Sequence, residues 1–170
     1  MADYIIRPAV KDDCEEILRL IQELAEFEKL PEQVKMTAET LRRDGFGDQK
    51  FFTCLVVEAK GNTGEGGQAT LWGYALYYFA YSTWEGRVMY LEDLYISPAQ
   101  RGKGIGTKLF NAVIKIGVDL DCQRMQWVVL SWNQRSIDFY KARGAFDVTS
   151  KENWNIFRMD RPVLEQLCKT

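Results

Sequence analysis

Apolar and polar positions follow two different periods along the chain, and each period predicts a different kind of element. Four segments are predicted to be helices, two from apolar residues at the spacing of one helix face and two from the residues at their ends. These helix predictions cover residues 11–30, 37–47, 104–122 and 133–144. Six shorter segments are rich in β-branched and aromatic residues, which is typical of strands. They are residues 4–9, 51–59, 71–81, 87–96, 125–132 and 154–160.

The order of these elements is β-α-α-β-β-β-α-β-α-β, which predicts an α+β fold. Three consecutive strands favour antiparallel hairpins, whereas the strand, glycine loop, helix and strand of residues 87–130 favour one parallel crossover. We therefore expect a mixed, mostly antiparallel sheet flanked by helices. No internal repeat or linker divides the sequence, so residues 1–170 are predicted to form a single domain.

Individual residues predict where helices begin and end. Thr37 and Asn133 have side chains that commonly cap a helix N-terminus, and Gly45 and Gly144 are typical of helix ends. Residues 60–70 contain four glycines and predict a mobile loop between two strands.

Composition narrows the class of protein. A hydrophobic fraction of 46% predicts a packed core, and a net charge of −2 argues against a nucleic-acid partner. No apolar run approaches the ~18 residues that span a bilayer, and the N-terminus does not resemble a signal peptide. With four scattered cysteines, we expect a reduced, soluble, cytoplasmic protein that has no membrane partner.

The absence of histidine removes whole classes of chemistry. The sequence contains no histidine, so histidine triads, histidine general bases and histidine metal sites are excluded. The cysteines form no C-x-x-C pair, and no metal is expected.

The segment "PAQRGKGIGTKLF", residues 98–110, carries the strongest local signal. Gly102, Gly104 and Gly106 occupy alternate positions just before a helix, where free backbone N–H groups and the helix dipole favour an anion. Arg101 and Lys103 add positive charge. The spacing fits neither a Walker loop nor a dinucleotide fingerprint. From the loop alone, a phosphate site and a tight turn without ligand both remain open.

Two motifs in the correct order resemble the GNAT superfamily of N-acetyltransferases. "RGKGIG" is similar to its pyrophosphate-binding loop, and "WNQRSIDFYKARGA" is similar to its later helix motif. The segments "DCEEILRLIQELAEFEKL", "DGFGD", "LYYFAYSTWEGR" and "YLEDLYI" narrow the resemblance to the spermidine/spermine (diamine) acetyltransferase family, and within it to the thialysine N-epsilon-acetyltransferase branch. The resemblance covers nearly the whole chain and implies the GNAT fold.

The resemblance implies an acetyl-CoA-dependent N-acetyltransferase that acts on the primary amine of a small aliphatic amine, with thialysine-like or lysine-like substrates preferred. A polyamine N-acetyltransferase, a protein-lysine acetyltransferase and a non-catalytic acyl-CoA-binding module are the alternatives. Acetyl-CoA is the expected cosubstrate, and a homodimer is expected because members of the family are homodimers.

Two residues are candidates for the proton transfers of this reaction. By family likeness Tyr140 is the general acid, since a phenol of pKa about 10 can protonate a thiolate. The alternative role for Tyr140 is core packing. Strand alternation predicts that Glu92 and Asp93 face opposite sides of the sheet. Glu92 would then share a face with Leu94 and Ile96, and is expected to draw a proton from the amine or grip its ammonium. A charge that merely faces water is the alternative.

The resemblance also assigns the remaining site residues. Those expected to contact acetyl-CoA are Leu94, Tyr95, Ile96, Arg101, Gly102, Lys103, Gly104, Ile105, Gly106, Thr107, Asn133, Gln134, Arg135, Ser136 and Tyr140. Those expected to line the amine pocket are Phe27, Glu28, Glu92 and Glu152.

Overall fold

The computed structural model describes residues 3–63 and 69–169, and the backbone alone at residues 62 and 63. It contains two compact units, one up to Val128 and one from Val129 onward, which are described separately. Residues 64–68, at the centre of the predicted glycine-rich loop, lie outside the described residues. No helix among the described residues has the length and apolarity that a membrane span needs.

The first unit contains a five-stranded sheet and three helices. In chain order its elements are β1 (Tyr4–Pro8), α1 (Cys14–Phe27), α2 (Ala38–Phe46), β2 (Thr53–Thr63), β3 (Ala69–Ser82), β4 (Gly86–Ile96), α3 (Ile105–Asp119) and β5 (Arg124–Gln126). The strands lie in the order β1-β2-β3-β4-β5. All neighbours are antiparallel except β4 and β5, which are parallel. The predicted mixed sheet with one parallel crossover is confirmed.

Helices α1 and α2 pack on one face of this sheet, here called the α1 face. Ile17 and Leu20 of α1 and Leu41 of α2 are buried against Val56 and Tyr74 of the sheet. The apolar spacing of α1 thus predicted its buried side. Because side chains alternate along a strand, Tyr74, Leu76 and Tyr78 of β3 all point to the α1 face.

Helix α3 packs on β3 and β4. Its residues Leu109 and Val113 are fully buried, and Gly117 lies beside the Met89 side chain of β4. Met89 pairs with Phe79 of β3, so Phe79 and the other odd-numbered residues of β3 point to the face that carries α3, here called the α3 face.

Strand β4 carries a bulge at Glu92. Asp93 pairs with Leu76 and Leu91 pairs with Tyr77, so Glu92 is an extra residue between two consecutive pairs. Asp93 therefore lies on the α1 face with Leu76, whereas Leu94 pairs with Ala75 on the α3 face. The prediction from simple alternation was wrong here, because a bulge breaks the period of two.

The predicted caps are confirmed. The Thr37 hydroxyl accepts a hydrogen bond from Thr40 N–H, and the Asn133 side chain accepts one from Ser136 N–H, each at 3.2 Å. Gly45 does not end its helix; α2 continues to Phe46. A Cβ at Gly45 would lie 2.5 Å from the Phe52 ring, so the glycine makes room for that ring.

The second unit contains the helices α4 (Gln134–Lys141), α5 (Val148–Glu152) and α6 (Arg161–Leu167). The predicted strand at 125–132 is realised only in β5, and Val128 is 57% exposed. The predicted strand at 154–160 is irregular, with Phe157 exposed. Both predictions were wrong over these residues, because a strand needs a neighbour to complete its hydrogen bonds and the structure gives these segments no strand neighbour among the described residues.

Candidate active site

Three carboxylates gather on the α1 face beside the bulge. Asp93 accepts a hydrogen bond from the Tyr74 hydroxyl at 2.8 Å. Glu92 and Glu28, the residue that follows α1, are near enough for their charges to act on Asp93. Instead of sharing a face with Leu94 and Ile96, Glu92 thus acts on groups of the α1 face. The result is an acidic surface suited to a cationic ligand.

Asp93 has the most unusual environment of the three. Burial raises its pKa from 3.8 to about 6, while the Tyr74 hydrogen bond opposes the rise and the charges of Glu92 and Glu28 add to it. Tyr74 is fully buried, and both burial and the Asp93 charge hold its pKa well above the ordinary value. A carboxyl group with a pKa near neutrality can accept and release protons at physiological pH.

Glu92 is exposed and lies beside a pair of aromatic rings. Tyr78 and Tyr90 are cross-strand partners whose rings stack with centroids 5.0 Å apart and an interplanar angle of 19°. Burial, the Glu92 charge and a hydrogen bond to Glu92 raise the pKa of Tyr78 to about 12. The carboxylate thus stands at the edge of an aromatic surface, and both features favour an ammonium group.

The end of α1 brings Phe27 and Glu28 to the same region. Burial raises the pKa of Glu28, while Phe27 is 39% exposed. The Arg101 guanidinium lies 5.2 Å from the Phe27 ring centroid and 5.3 Å from that of Tyr95. Its Nε also donates to the Ile96 carbonyl at 2.8 Å. Arg101 therefore ties the glycine loop to α1 and β4.

The glycine loop has the backbone conformation that its sequence predicts. Gly102 and Gly104 have φ values of +79° and +75°, and a Cβ at either would meet no atom within 4 Å. Gly104 is the N-cap of α3, so the N–H groups of the first turn, from Ile105 onward, have no partner within the helix. Lys103 contributes its ammonium, which lies 5.9 Å from the Trp72 ring centroid.

The outer edge of β4 is open beyond the short β5. The parallel pairing joins only Val88, Met89 and Tyr90 to β5. Residues 91–96 pair with β3 on one side, and no other strand in the described part of the chain pairs with their second side. Backbone groups alternate between the two edges of a strand, and Ser97 N–H donates to the Trp72 carbonyl of β3. Leu94 and Ile96 therefore direct their backbone groups to the second side, where an extended ligand that carries amide groups can hydrogen-bond them.

The second unit holds the other predicted residues. Asn133 caps α4, and the Gln134 amide donates to Asp138 at 2.7 Å. Arg135 and Ser136 lie in the first turn of this helix. Tyr140 lies on its last turn, and its ring packs edge-to-face on Phe139 with centroids 5.3 Å apart.

Glu152 ends α5, and its carboxylate accepts a hydrogen bond from the Trp154 indole at 3.1 Å. Among the described residues, no group of three or more Cys, Asp or Glu side chains could hold a metal ion.

A cavity of about 500 Å³ opens elsewhere on α1 and is lined by none of the predicted site residues. Its polar lining is mutually satisfied, because Arg19 donates to Glu16, to Glu23 and to the Leu71 carbonyl. We regard this network as a structural clamp between α1 and β3.

Sequence reasoning missed the pairing of Asp93 with Tyr74. Two adjacent acids in an apolar strand were a visible signal, but alternation assigned the functional role to Glu92 alone. The bulge and the cross-strand tyrosine depend on the pairing of β3 with β4, which no local pattern reveals.

Comparisons with known proteins identify the family of this chain. The model of the Acetyltransferase (GNAT) family matches residues 15–145. The chain is 48% identical to the thialysine N-epsilon-acetyltransferase of Bos taurus over 98% of each chain. It is 44% identical to the spermidine/spermine N(1)-acetyltransferase-like protein 1 of Homo sapiens over 95% of this chain and 23% of that protein.

Solved structures show the same fold. An integron cassette protein from the mobile metagenome of V. cholerae superposes with a TM-score of 0.77 at 22% identity, over 100% of both chains. The aminoglycoside N-acetyltransferase AAC(6')-Iy in complex with CoA gives a TM-score of 0.68 at 20% identity, over 93% of this chain and 95% of that chain. The chain belongs to the GNAT family of acetyltransferases and is an acyltransferase with the GNAT fold.

Proposed function

We propose that this protein transfers the acetyl group of acetyl-CoA to the primary amine of a small aliphatic substrate, with thialysine-like or lysine-like amines preferred. The observation that carries this proposal is the gathering of Glu28, Glu92 and Asp93 on one face of the sheet. A substrate with an ammonium group is the natural ligand of such a surface. Full-length similarity to a thialysine N-epsilon-acetyltransferase supports the choice of amine.

Acetyl-CoA is proposed to bind along the open edge of β4 and the loop that follows it. The pyrophosphate would accept hydrogen bonds from the backbone of residues 102–107, where positive φ glycines leave the approach clear. The amide-bearing arm of the cofactor would pair with the backbone of Leu94 and Ile96, and Tyr95 lies between them in the same proposed site. In the second unit, Asn133, Gln134, Arg135 and Ser136 are proposed as further cofactor contacts. Residues 1–170 are proposed to form one acetyltransferase domain, which the family match over residues 15–145 supports.

The proposed reaction needs a neutral amine and a proton for the leaving thiolate. A lysine-like amine has a pKa of about 10.4 and arrives protonated. Glu92, with Phe27, Glu28 and Glu152, is proposed to receive the ammonium, and the carboxylates at the bulge draw off its proton. Tyr140 is proposed to protonate the thiolate of CoA.

The proposed substrate preference rests on Ser82, because the resemblance to the diamine acetyltransferase family implies an aspartate at this position in its polyamine-specific members. Ser82 Oγ accepts hydrogen bonds from Trp84 and Glu85 N–H, each at 3.2 Å, and so closes the β3–β4 turn. An aspartate can accept the same bonds while it adds a charge. Each carboxylate contact missing for a long polyamine costs ~1 kcal/mol, roughly fivefold in affinity.

A panel of amines tests the proposal directly. Initial rates with acetyl-CoA are measured for thialysine, lysine, putrescine, spermidine, spermine and a histone-tail peptide. We expect the highest kcat/KM for thialysine, and a shift toward polyamines in Ser82→Asp. A higher kcat/KM for spermidine than for thialysine would contradict the preference. Binding of acetyl-CoA without any turnover would instead support a non-catalytic module.

A further inference from the structure

Three groups form a gradient of exposure from solvent to core beside the bulge of β4. Glu92 is exposed, Asp93 is partly buried, and Tyr74 has no exposed surface. The Tyr74 hydroxyl donates to Oδ2 of Asp93 at 2.8 Å, which fixes the orientation of this carboxylate. The Asp93 carboxylate is therefore fixed by a hydrogen bond and is less exposed than the neighbouring Glu92 carboxylate.

The groups that act on Asp93 come from each element that packs around it. Tyr74 contributes its hydroxyl from β3, Glu92 its carboxylate from β4, and Glu28 its carboxylate from the end of α1. The Cys54 thiol of β2 is also within electrostatic range. Each of these ionisable groups is neutral or negative at neutral pH. A proton that reaches this cluster is accordingly stabilised there.

We infer that Asp93 is the group on which the proton of the substrate ammonium comes to rest, and that Tyr74 is the positioning residue that holds Asp93 for this task. The inference rests on the proposed function. Glu92 receives the ammonium as a hydrogen-bond acceptor, and Oδ1 of Asp93 takes the proton because Oδ2 already accepts from Tyr74.

The proton balance of the whole reaction closes with this assignment. The ammonium loses one proton to Asp93, and the freed lone pair forms the C–N bond at the thioester carbonyl while the C–S bond breaks. The thiolate takes the Tyr140 proton, and the excess proton on nitrogen restores the phenol. Asp93 then releases its proton to water, so each turnover liberates one proton.

The distribution of acidity supports this division of roles. The raised pKa of Asp93, about 6, makes it a better proton acceptor near neutrality than a carboxylate of ordinary pKa. Two carboxylates in different environments can take different roles in one reaction.

The test is the pH dependence of kcat/KM for thialysine in variants with opposite expected shifts. The wild type should lose activity as the pH falls below the pKa of Asp93, which is about 6, and this decline is the acid limb of its pH profile. Asp93→Asn should remove this acid limb and lower kcat by about 10²-fold. Tyr74→Phe should move the limb to higher pH, because the hydrogen bond from Tyr74 lowers the pKa of Asp93. Glu28→Gln should move it to lower pH, because the Glu28 charge raises that pKa.

Tyr77→Phe is the matched control, since Tyr77 is a buried tyrosine of the same strand that points to the α3 face. The acid limb in the pH profile of Tyr77→Phe should lie at the same pH as in the wild type. Carbon-13 NMR titration of labelled aspartate side chains measures the same changes in the pKa of Asp93 without turnover. If Tyr74→Phe does not fold, Glu28→Gln still tests the inference. An unchanged limb in active Asp93→Asn overturns this inference alone. Absence of turnover in the wild type with every amine overturns the proposed function.

Discussion

At the scale of the residue, burial makes Tyr74 and Asp93 depend on each other. A buried hydroxyl without an acceptor and a buried carboxylate without a donor each cost free energy, and the 2.8 Å hydrogen bond satisfies both. The bond leaves the second carboxylate oxygen for the proposed proton transfer. Structural and proposed catalytic demands therefore meet in the same two residues.

The proposed role of Tyr140 as the general acid can be tested with a single substitution. Tyr140→Phe removes the hydroxyl but keeps the ring that packs on Phe139. We expect kcat to fall by about 10²-fold, with little change in acetyl-CoA binding. Steady-state rates and calorimetric titration with acetyl-CoA measure the two quantities. Tyr81→Phe, at an exposed tyrosine of β3, is the control, and wild-type turnover by Tyr140→Phe would eliminate Tyr140 as the acid.

Among the elements, the glycine loop and α3 are proposed to act as one anion-binding unit. The left-handed φ of Gly104 turns the chain into the helix, and the same conformation leaves the loop surface without a Cβ. A side chain at this position has two separable effects, backbone strain and crowding of the phosphate.

A pair of variants separates these two effects. Gly104→Ala strains the backbone and crowds the proposed phosphate site, whereas Gly61→Ala strains it at a φ of +71° with equally open surroundings in β2. Both variants should lose similar stability in urea. Only Gly104→Ala should raise the KM for acetyl-CoA. The increase should be about tenfold or more, which is the size expected for one lost charge-assisted contact. An equal KM in both variants would refute the phosphate assignment.

Most, but not all, of the elements could be predicted from local sequence. Strands β1 to β4 and helices α1 to α4 were predictable because each carries its own period or cap, as with Thr37 and Asn133. The bulge at Glu92 was not, because an extra residue is visible only against its partner strand. Helices α5 and α6 were also missed, since five and seven residues are too few to show a period or to be stable without packing.

At the scale of the whole molecule, the second unit leaves apolar side chains in contact with solvent. Ile156 and Phe157 are 78% and 93% exposed, and Met159 is exposed as well. Clustered apolar exposure of this kind is typical of a protein–protein contact. The homodimer expected from the family resemblance stays a prediction, and these side chains are proposed to lie in its contact.

Sedimentation at micromolar concentration tests this expectation. The wild type should sediment as a dimer, and Phe157→Asp should shift it toward monomer because a charge would have to be buried in the contact. Phe51→Asp changes an exposed aromatic residue of the first unit and should leave the dimer intact. A monomeric wild type would count against the dimer.

The buried carboxyl of Asp93 also couples folding to the proton concentration. Its pKa is about 6 in the folded protein and near 3.8 when unfolded, so the native state binds a proton more tightly than the unfolded chain does. The stabilisation from this proton is complete below pH 3.8 and is lost as the pH rises through 6. Relative to wild type, Asp93→Asn should therefore gain urea resistance at pH 7 and gain none at pH 4. Equal gains at pH 7 and pH 4 would show that the stability of the fold does not depend on this proton. The expected difference would mean that the native state is destabilised at neutral pH by the same carboxylate that is proposed to accept the substrate proton.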